Sequence, residues 1–428
     1  MLGKMLISNV RVIDPASAFD SVTNLLITDG KITAIGSGFE ADKDTTVIDG
    51  TNLMAAPGFI DMHVHLREPG QTEKEDIASG CMAAAAGGIT SLVCMPNTKP
   101  TTDSPEAVNF IKEKAAAACG VKVYPAAAIT KNLAGEVQSD FCALKAAGVI
   151  AVSDDGNPVA DDRILRKAMI QADKQGLKML CHCENKVLSS GGLINEGKIS
   201  EVLGIPGMPA EAEDSDTARV IEMAESTGCA VHICHVSTRG SVKLIREAKK
   251  RGVKVTAETA PHYFAFTESK LLKEDADFRM NPPLRTYKDR FAVIEGLCDG
   301  TIDAIATDHA PHTPEEKADF LSAPNGVIGM ETSFAASFMY LKEFMTLSDI
   351  IACMTVKPAN ILGLDAGRLQ VGAPADIVLF NPRDVWTVKP EELHGKSRNA
   401  VFKGQKLIGR VYYTICDGNI IFERKKSR

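Results

Sequence analysis

Eight short apolar runs, separated by helical stretches, constrain this chain more than any other feature. They are Phe59–His65, Thr90–Met95, Lys122–Ala127, Val149–Ser153, Lys178–His182, Ala230–His235, Val253–Ala257 and Ile302–Thr307. Between them lie helical candidates at Glu75–Ala86, Ser104–Ala118, Asp161–Gln175, Asp214–Thr227, Gly240–Arg251 and Tyr287–Cys298. Strands apolar on both faces, alternating with helices, are the mark of βα units around a parallel sheet. Eight such units predict an α/β fold, a (β/α)8 TIM-like barrel.

The two chain ends have a different texture. Leu6–Ile13, Asn24–Thr28 and Lys31–Ile35 read as strands, with an Asp29-Gly30 turn between the last two. Ala375–Phe380, Val411–Cys416 and Asn419–Phe422 return to this style, with Asp417-Gly418 as a second turn. Asp-Gly between such runs is a hairpin signal. We therefore expect a small β-sandwich domain built from residues 1–56 and 367–428 around a barrel of residues 57–366.

Composition narrows the function classes. The chain has 428 residues, 45% of them hydrophobic, so it can bury a large core. Its net charge of -7 argues against a general nucleic-acid binder, which carries a basic excess. No run approaches the roughly 18 apolar residues of a membrane span. The N-terminus reads as a strand rather than a secretion signal. The 11 cysteines are scattered without a C-x-x-C pair, which points to reduced thiols and a cytoplasmic setting. Cys181 and Cys183 are expected to be buried on the face opposite His182. Gly395-Lys396-Ser397 lacks the first glycine of a phosphate loop, and Gly87-Gly88 is more simply a helix cap.

In such a barrel the site forms at the C-terminal strand ends. These ends carry polar residues that a buried strand gains nothing from. His63 and His65 stand two apart, on one face of the first strand. Asn97 follows the second strand, and Asp154 and Asp155 follow the fourth. His182 ends the fifth, His235 the sixth, and Asp308 the eighth, with His312 beyond it. A single strand-end histidine is usually structural, but this co-location favours one metal site. His63, His65, one of Asp154 and Asp155, His182, His235 and Asp308 supply four imidazoles and two carboxylates, a donor set suited to zinc. Six ligands fit two metals if one carboxylate bridges them, and such a pair lowers the pKa of a shared water. Parity along strand six places His232 away from His235, as a structural histidine. His309 is expected to be structural or supporting, His394 solvated, and His262 is undecided.

These motifs resemble the dihydroorotases of the bacterial class I type, in the amidohydrolase superfamily. The matching segments are Gly58-Phe-Ile-Asp-Met-His-Val-His-Leu-Arg-Glu-Pro-Gly70, Met95-Pro-Asn-Thr-Lys-Pro100, Ser153-Asp-Asp-Gly156, His182-Cys-Glu184, Cys234-His-Val-Ser-Thr238, Met280-Asn-Pro-Pro-Leu-Arg285 and Asp308-His-Ala-Pro-His312. Gly372-Ala-Pro-Ala-Asp376 and Ser397-Arg-Asn399 extend the match to the C-terminal region.

The resemblance implies two zinc ions per subunit. His63 and His65 would hold one and His182 and His235 the other, with Asp155 bridging. Asp308 would be both a metal ligand and the catalytic acid/base. Arg67, Asn97 and His312 would hold the substrate carboxylate, with His65 beside them, while Asn281 contacts the ring and Asn325 and Gly326 complete the pocket. The implied reaction is the reversible cyclisation of N-carbamoyl-L-aspartate to L-dihydroorotate in pyrimidine synthesis. A homodimer, and association with aspartate carbamoyltransferase, are further implications. Leu66, Tyr263 and Pro324-Asn325-Gly326 depart from the family pattern. No lysine occupies the end of strand four, which argues against a hydantoinase. The competing readings are another cyclic amidase, such as a hydantoinase or allantoinase, and a non-catalytic partner of the carbamoyltransferase.

Overall fold

The computed structural model describes residues 3–425. Each of the eight predicted runs overlaps a strand: Phe59–Val64, Ile89–Cys94, Lys122–Ala127, Ala151–Val152, Lys178–Cys181, Val231–Ile233, Val255–Thr259 and Ala304–Ile305. They pair in parallel, each with the next in chain order. The helices fall where the periodicity places them, at Ile77–Ala86, Pro105–Ala116, Asp162–Lys174, Glu211–Thr227, Arg239–Lys250 and Tyr287–Cys298. Asp76, Ser104, Asp161, Thr238 and Thr286 cap five of these helices through side-chain oxygens, satisfying N–H groups that a helix leaves unpaired.

The barrel closes beyond the last strand. His309 bridges Val64 in parallel, and the His65 N–H donates to the His309 carbonyl at 2.8 Å. Asp61 reinforces the seam. Its carboxylate accepts the Thr307 N–H at 3.0 Å, the Thr307 hydroxyl at 2.6 Å and the His63 N–H at 3.3 Å. Burial pushes the Asp61 carboxyl up to about 6 against the lowering effect of these bonds. The seam thus sets the height of His63 and His65 relative to Asp308.

Two apolar layers hold the barrel. Ile77, Cys81, Val108, Ile111, Leu165 and Val220 of the helices pack on outward strand residues such as Leu92, Met179 and Ile233. A second cluster faces the axis, with Ile60, Met62, Val93, Met95, Leu180 and Cys234 among small alanines. Ala359 and Leu362, from helix Val356–Leu362, pack against this cluster. Cys181 and Cys183 belong to the outer layer, as expected, and all 11 cysteines are free.

The chain ends meet in one small β unit, as expected, and its eight strands are linked into one mixed hydrogen-bonded sheet around a shared apolar core. Its order is Asn419–Glu423, Lys406–Cys416, Ile377–Thr387, Met54–Pro57, Lys4–Asp14, Phe19–Thr28 and Lys31–Gly36, with Thr45–Asp49 also on Lys4–Asp14. The reason is Met54–Pro57, which pairs with Lys4–Asp14 on one side and Ile377–Phe380 on the other, joining the two halves by hydrogen bonds. This strand runs through Gly58 directly into the first barrel strand, and the Gly58 N–H donates to the Asp376 carbonyl at 2.9 Å. Lys122 ties the same corner by bonding Asp376 and Asp417, each at 2.8 Å. The terminal sheet therefore anchors the strand that carries His63. No helix of the described residues is long and apolar enough to cross a membrane.

Asp61→Ala leaves three buried donors at the seam without an acceptor. It should cost about 3 kcal/mol, by the usual penalty for unpaired groups around a charge. Urea unfolding checks this, and an unchanged midpoint would contradict the seam's role.

Candidate metal centre and substrate pocket

The strand ends bring all six proposed ligands into one buried cluster. His63 Nε2 lies 3.3 Å from Asp155 Oδ1 and 3.7 Å from Asp308 Oδ1. His65 Nε2 lies 3.1 Å from Asp308 Oδ1 and 3.6 Å from Asp155 Oδ2. On the other side, His182 Nδ1 is 3.5 Å and His235 Nε2 3.8 Å from Asp155 Oδ1. Asp155 is therefore the carboxylate that reaches both histidine pairs. Asp154 turns away, accepting the N–H and hydroxyl of Thr130.

Backbone geometry aims three of these groups. Arg67, His235 and Asp308 have φ of +62°, +35° and +48°, values uncommon for residues with a Cβ and typical of functional strain. The turn at His235 breaks the alternation of its strand. His232 consequently shares the barrel interior with the site instead of facing away: its Nε2 is 3.3 Å from Glu258 Oε2, and Glu258 Oε1 is 3.0 Å from His63 Nδ1.

Partners orient the other imidazoles. His65 Nδ1 lies 2.9 Å from Asn97 Oδ1, and the Asn97 amide donates to Asp155 at 3.2 Å. His182 Nε2 lies 2.9 Å from Glu184 Oε2. Glu184 also accepts from Lys186 at 2.7 Å, Ser189 at 2.5 Å and Asn281 at 2.9 Å. Glu184 thus joins a metal-facing histidine to a residue of the substrate pocket.

The electrostatics call for positive charge. Burial pushes the Asp155 carboxyl up, but His63, His182 and His235 outweigh it and hold it well below the usual range. Asp308 is likewise held low against burial by His65, His63 and His235. Burial lowers the His182 imidazole, yet Asp155 and Glu184 push it up to about 9. His63 Nε2 and Asp155 Oδ1 are buried without hydrogen-bond partners. Imidazoles and carboxylates converging through unpaired atoms fit a divalent metal, which would meet both demands at once.

Beside the cluster lies a cavity of about 190 Å³, lined by His65, Arg67, Asn97, Asn281, Asn325 and Gly326, among others. Arg67 is 9% exposed and makes no direct ion pair among the described residues. Its Nε donates to the Pro311 carbonyl at 3.1 Å, and its Nη2 lies 3.2 Å from His312 Nε2. Burial, and then the Arg67 charge, pull the His312 imidazole down to about 3, so it stays neutral near pH 7. Gly326 has φ of +148°, and a Cβ there would stand 2.7 Å from the Ala310 carbonyl oxygen. The pocket wall needs glycine at this point.

Asn399 is a residue to which sequence reading gives no role. Its Nδ2 donates to the Ala310 and Gly326 carbonyls, both at 3.1 Å, and its Oδ1 accepts the His312 N–H at 3.2 Å. The C-terminal segment thereby clamps two loops of the pocket. The loop between them is pinned as well: Lys317 Nζ donates to the carbonyls of Ala276, Arg279 and Pro324 at 2.7–3.1 Å. His262 and Tyr263 are buried, and the Tyr263 hydroxyl donates to the Pro282 carbonyl at 2.7 Å. That bond ties Tyr263 to the loop bearing Asn281.

Comparison with known proteins agrees with this geometry. The sequence profile of the Amidohydrolase family matches residues 54–421. A dihydroorotase from Geotalea daltonii is 47% identical over 97% of this chain and 98% of its own length. One from Geobacter metallireducens is 46% identical over 98% and 100%. The chain belongs to the amidohydrolase family, in its dihydroorotase branch. Among solved structures, an L-hydantoinase from Arthrobacter aurescens superposes with a TM-score of 0.88 over 99% of this chain and 97% of that one, at 23% identity. A dihydropyrimidinase from Brevibacillus agri gives 0.84 over 97% and 94%, at 26% identity. This chain shares its fold with both structures.

Asn399→Ala should raise the KM of this amidohydrolase about tenfold with a smaller change in kcat. The loops that Asn399 holds line the pocket, and losing one or two net hydrogen bonds is worth about that factor. Steady-state kinetics give the answer, and an unchanged KM would refute the clamp.

Proposed function

We propose that the chain interconverts N-carbamoyl-L-aspartate and L-dihydroorotate, releasing water on ring closure and consuming it on ring opening. The observation that carries this reading is Arg67, a buried guanidinium with no direct ion pair, opening onto a cavity next to the His/Asp cluster. Hydantoin and allantoin are cyclic amides without a carboxylate, whereas dihydroorotate carries one. A guanidinium can hold that group through two parallel hydrogen bonds. The dihydroorotases at 46–47% identity over nearly the whole chain support the same substrate.

Two zinc ions are the cofactor we propose, one held by His63 and His65, the other by His182 and His235, with Asp155 between them. Bound there, they would activate water and polarise the substrate carbonyl. The protein's own groups supply the rest. Arg67, with His312 beside it, fixes the carboxylate, and Asn281 faces the ring. Asp308 lies 3.1 Å from His65 and faces the pocket. It takes a proton from the attacking water and delivers it to the departing ring nitrogen, and ring closure reverses the transfer. The neighbouring imidazoles of His65, His63 and His235 hold it ionised near neutral pH.

Dihydroorotate hydrolysis and carbamoyl aspartate cyclisation should both proceed with zinc-loaded protein, and hydantoin and allantoin should be poor substrates. Preference for either neutral ring would overturn the reading. Chelation should abolish turnover and zinc should restore it. Asp308→Asn should lower kcat by about 10²–10⁴-fold, the usual worth of a positioned acid/base, and protein-bound zinc should persist. Substantial turnover in this variant would remove Asp308 from its role.

A further inference from the structure

The interior of a barrel of this kind is filled by layers of apolar side chains. Beneath the metal cluster this one departs from that rule. Glu258, on strand Val255–Thr259, and His232, on strand Val231–Ile233, are 1% and 2% exposed beside Ile60, Met62, Cys234 and Ala304. A carboxylate costs heavily in such a place unless its oxygens are bonded. Here Oε1 is hydrogen-bonded, while Oε2 faces His232 Nε2 at ion-pair distance and neither atom of that pair has a hydrogen-bond partner. Thr256 Oγ1 is 2.8 Å from His232 Nδ1, His232 Nε2 is 3.3 Å from Glu258 Oε2, and Glu258 Oε1 is 3.0 Å from His63 Nδ1.

If His63 is to bind a metal through Nε2, its Nδ1 must carry the ring hydrogen, and that hydrogen goes to Glu258 Oε1. On the other side of the carboxylate, a His232 hydrogen on Nε2, with Thr256 Oγ1 at Nδ1, would face Glu258 Oε2. His63 Nε2 is then a bare lone pair, and this buried atom has no hydrogen-bond partner, 3.3 Å from Asp155 Oδ1. We infer that Glu258, held by His232, is a positioning residue that sets the His63 tautomer and so tunes the affinity of the metal held by His63 and His65. Glu184 does the corresponding work for His182, but it also bonds Lys186, Ser189 and Asn281. The Glu258 carboxylate faces the two imidazoles and the Cys234 thiol, all on the His63 side of the cluster, so its removal reports on the metal held there.

The inference rests on the proposed reading of the site, in which His63 binds metal through Nε2. The test is Glu258→Gln beside His232→Asn, in the full chain. Zinc release is followed with a chromogenic chelator, the visible spectrum is taken after cobalt substitution, and the metal-free protein is melted. A supporting ligand of this kind is worth 10–100-fold in metal affinity. In Glu258→Gln, one of two zinc ions should leave 10–100-fold faster, and the cobalt bands of that site should shift. The second zinc and the melting temperature of the metal-free protein should stay close to wild type. His232→Asn should show a weaker effect on the same zinc. It also carries the test if Glu258→Gln fails to fold. Wild-type release rates and cobalt bands in the folded variants would overturn the inference. Wild-type protein that takes up no zinc would overturn the reading of the site and the inference with it.

Discussion

Asp155 among four imidazoles is the contact on which the rest of the structure depends. Its carboxylate lies 3.3–3.8 Å from ring nitrogens of His63, His65, His182 and His235, at the ends of the first, fifth and sixth strands of the barrel. Only a closed barrel brings strands so far apart in sequence to one point. Such a cluster is also expensive to assemble, because unpaired polar atoms gain nothing from burial. The apolar layer along the axis and the helices packed outside must supply the stability that the site does not. The terminal sheet contributes by fixing the roots of the first and third strands, where Gly58 and Lys122 both meet Asp376, far from the chemistry but continuous through the first strand with His63.

The rim of the barrel is where regular structure ends and aim begins. A strand can present alternate side chains to a site, but it cannot point consecutive ones there. Left-handed backbone at Arg67, His235 and Asp308 breaks the alternation at three strand ends and lets the chain add a functional group where the pleat would turn it outward. The strain is affordable because the residues on either side are locked: Asp61 clamps Thr307 and His63, and the His65 N–H is tied to His309.

This explains what was legible in the sequence and what was not. The eight strands are unmistakable because both their faces are apolar, and the helices because their caps and periodicity agree. The buried His/Asp cluster is legible because histidines and aspartates at strand ends have no structural reason to be there. His232 was misplaced because parity presumes a continuous pleat, and the positive φ at His235 is invisible to it. Glu258 lies just past the predicted end of its strand, where a lone carboxylate looks like a loop residue. Asn399 is remote in sequence from everything it touches, and no local pattern marks an amide whose three partners belong to other loops. The β unit of the two chain ends is legible from its hairpins, but Met54–Pro57, which joins its halves, is too short to stand out as a strand.

The substrate end of the pocket obeys a different logic from the metal end. The metal cluster carries an excess of acceptors and needs a cation; Arg67 is a buried cation that needs an acceptor. A substrate with a carboxylate at one end and a polarisable amide at the other satisfies both needs together, and a neutral ring satisfies only one. The neutral His312 is part of this arrangement, since an imidazolium beside Arg67 would be costly, and the guanidinium charge that selects the anion also keeps the histidine uncharged. Asn399 and Lys317 hold the surrounding loops through backbone carbonyls and one N–H, which leaves the charge of Arg67 free for the ligand. On the proposed reading, specificity for a carboxylate-bearing ring lies as much in the lack, among the described residues, of a carboxylate directly paired with Arg67 as in Arg67 itself.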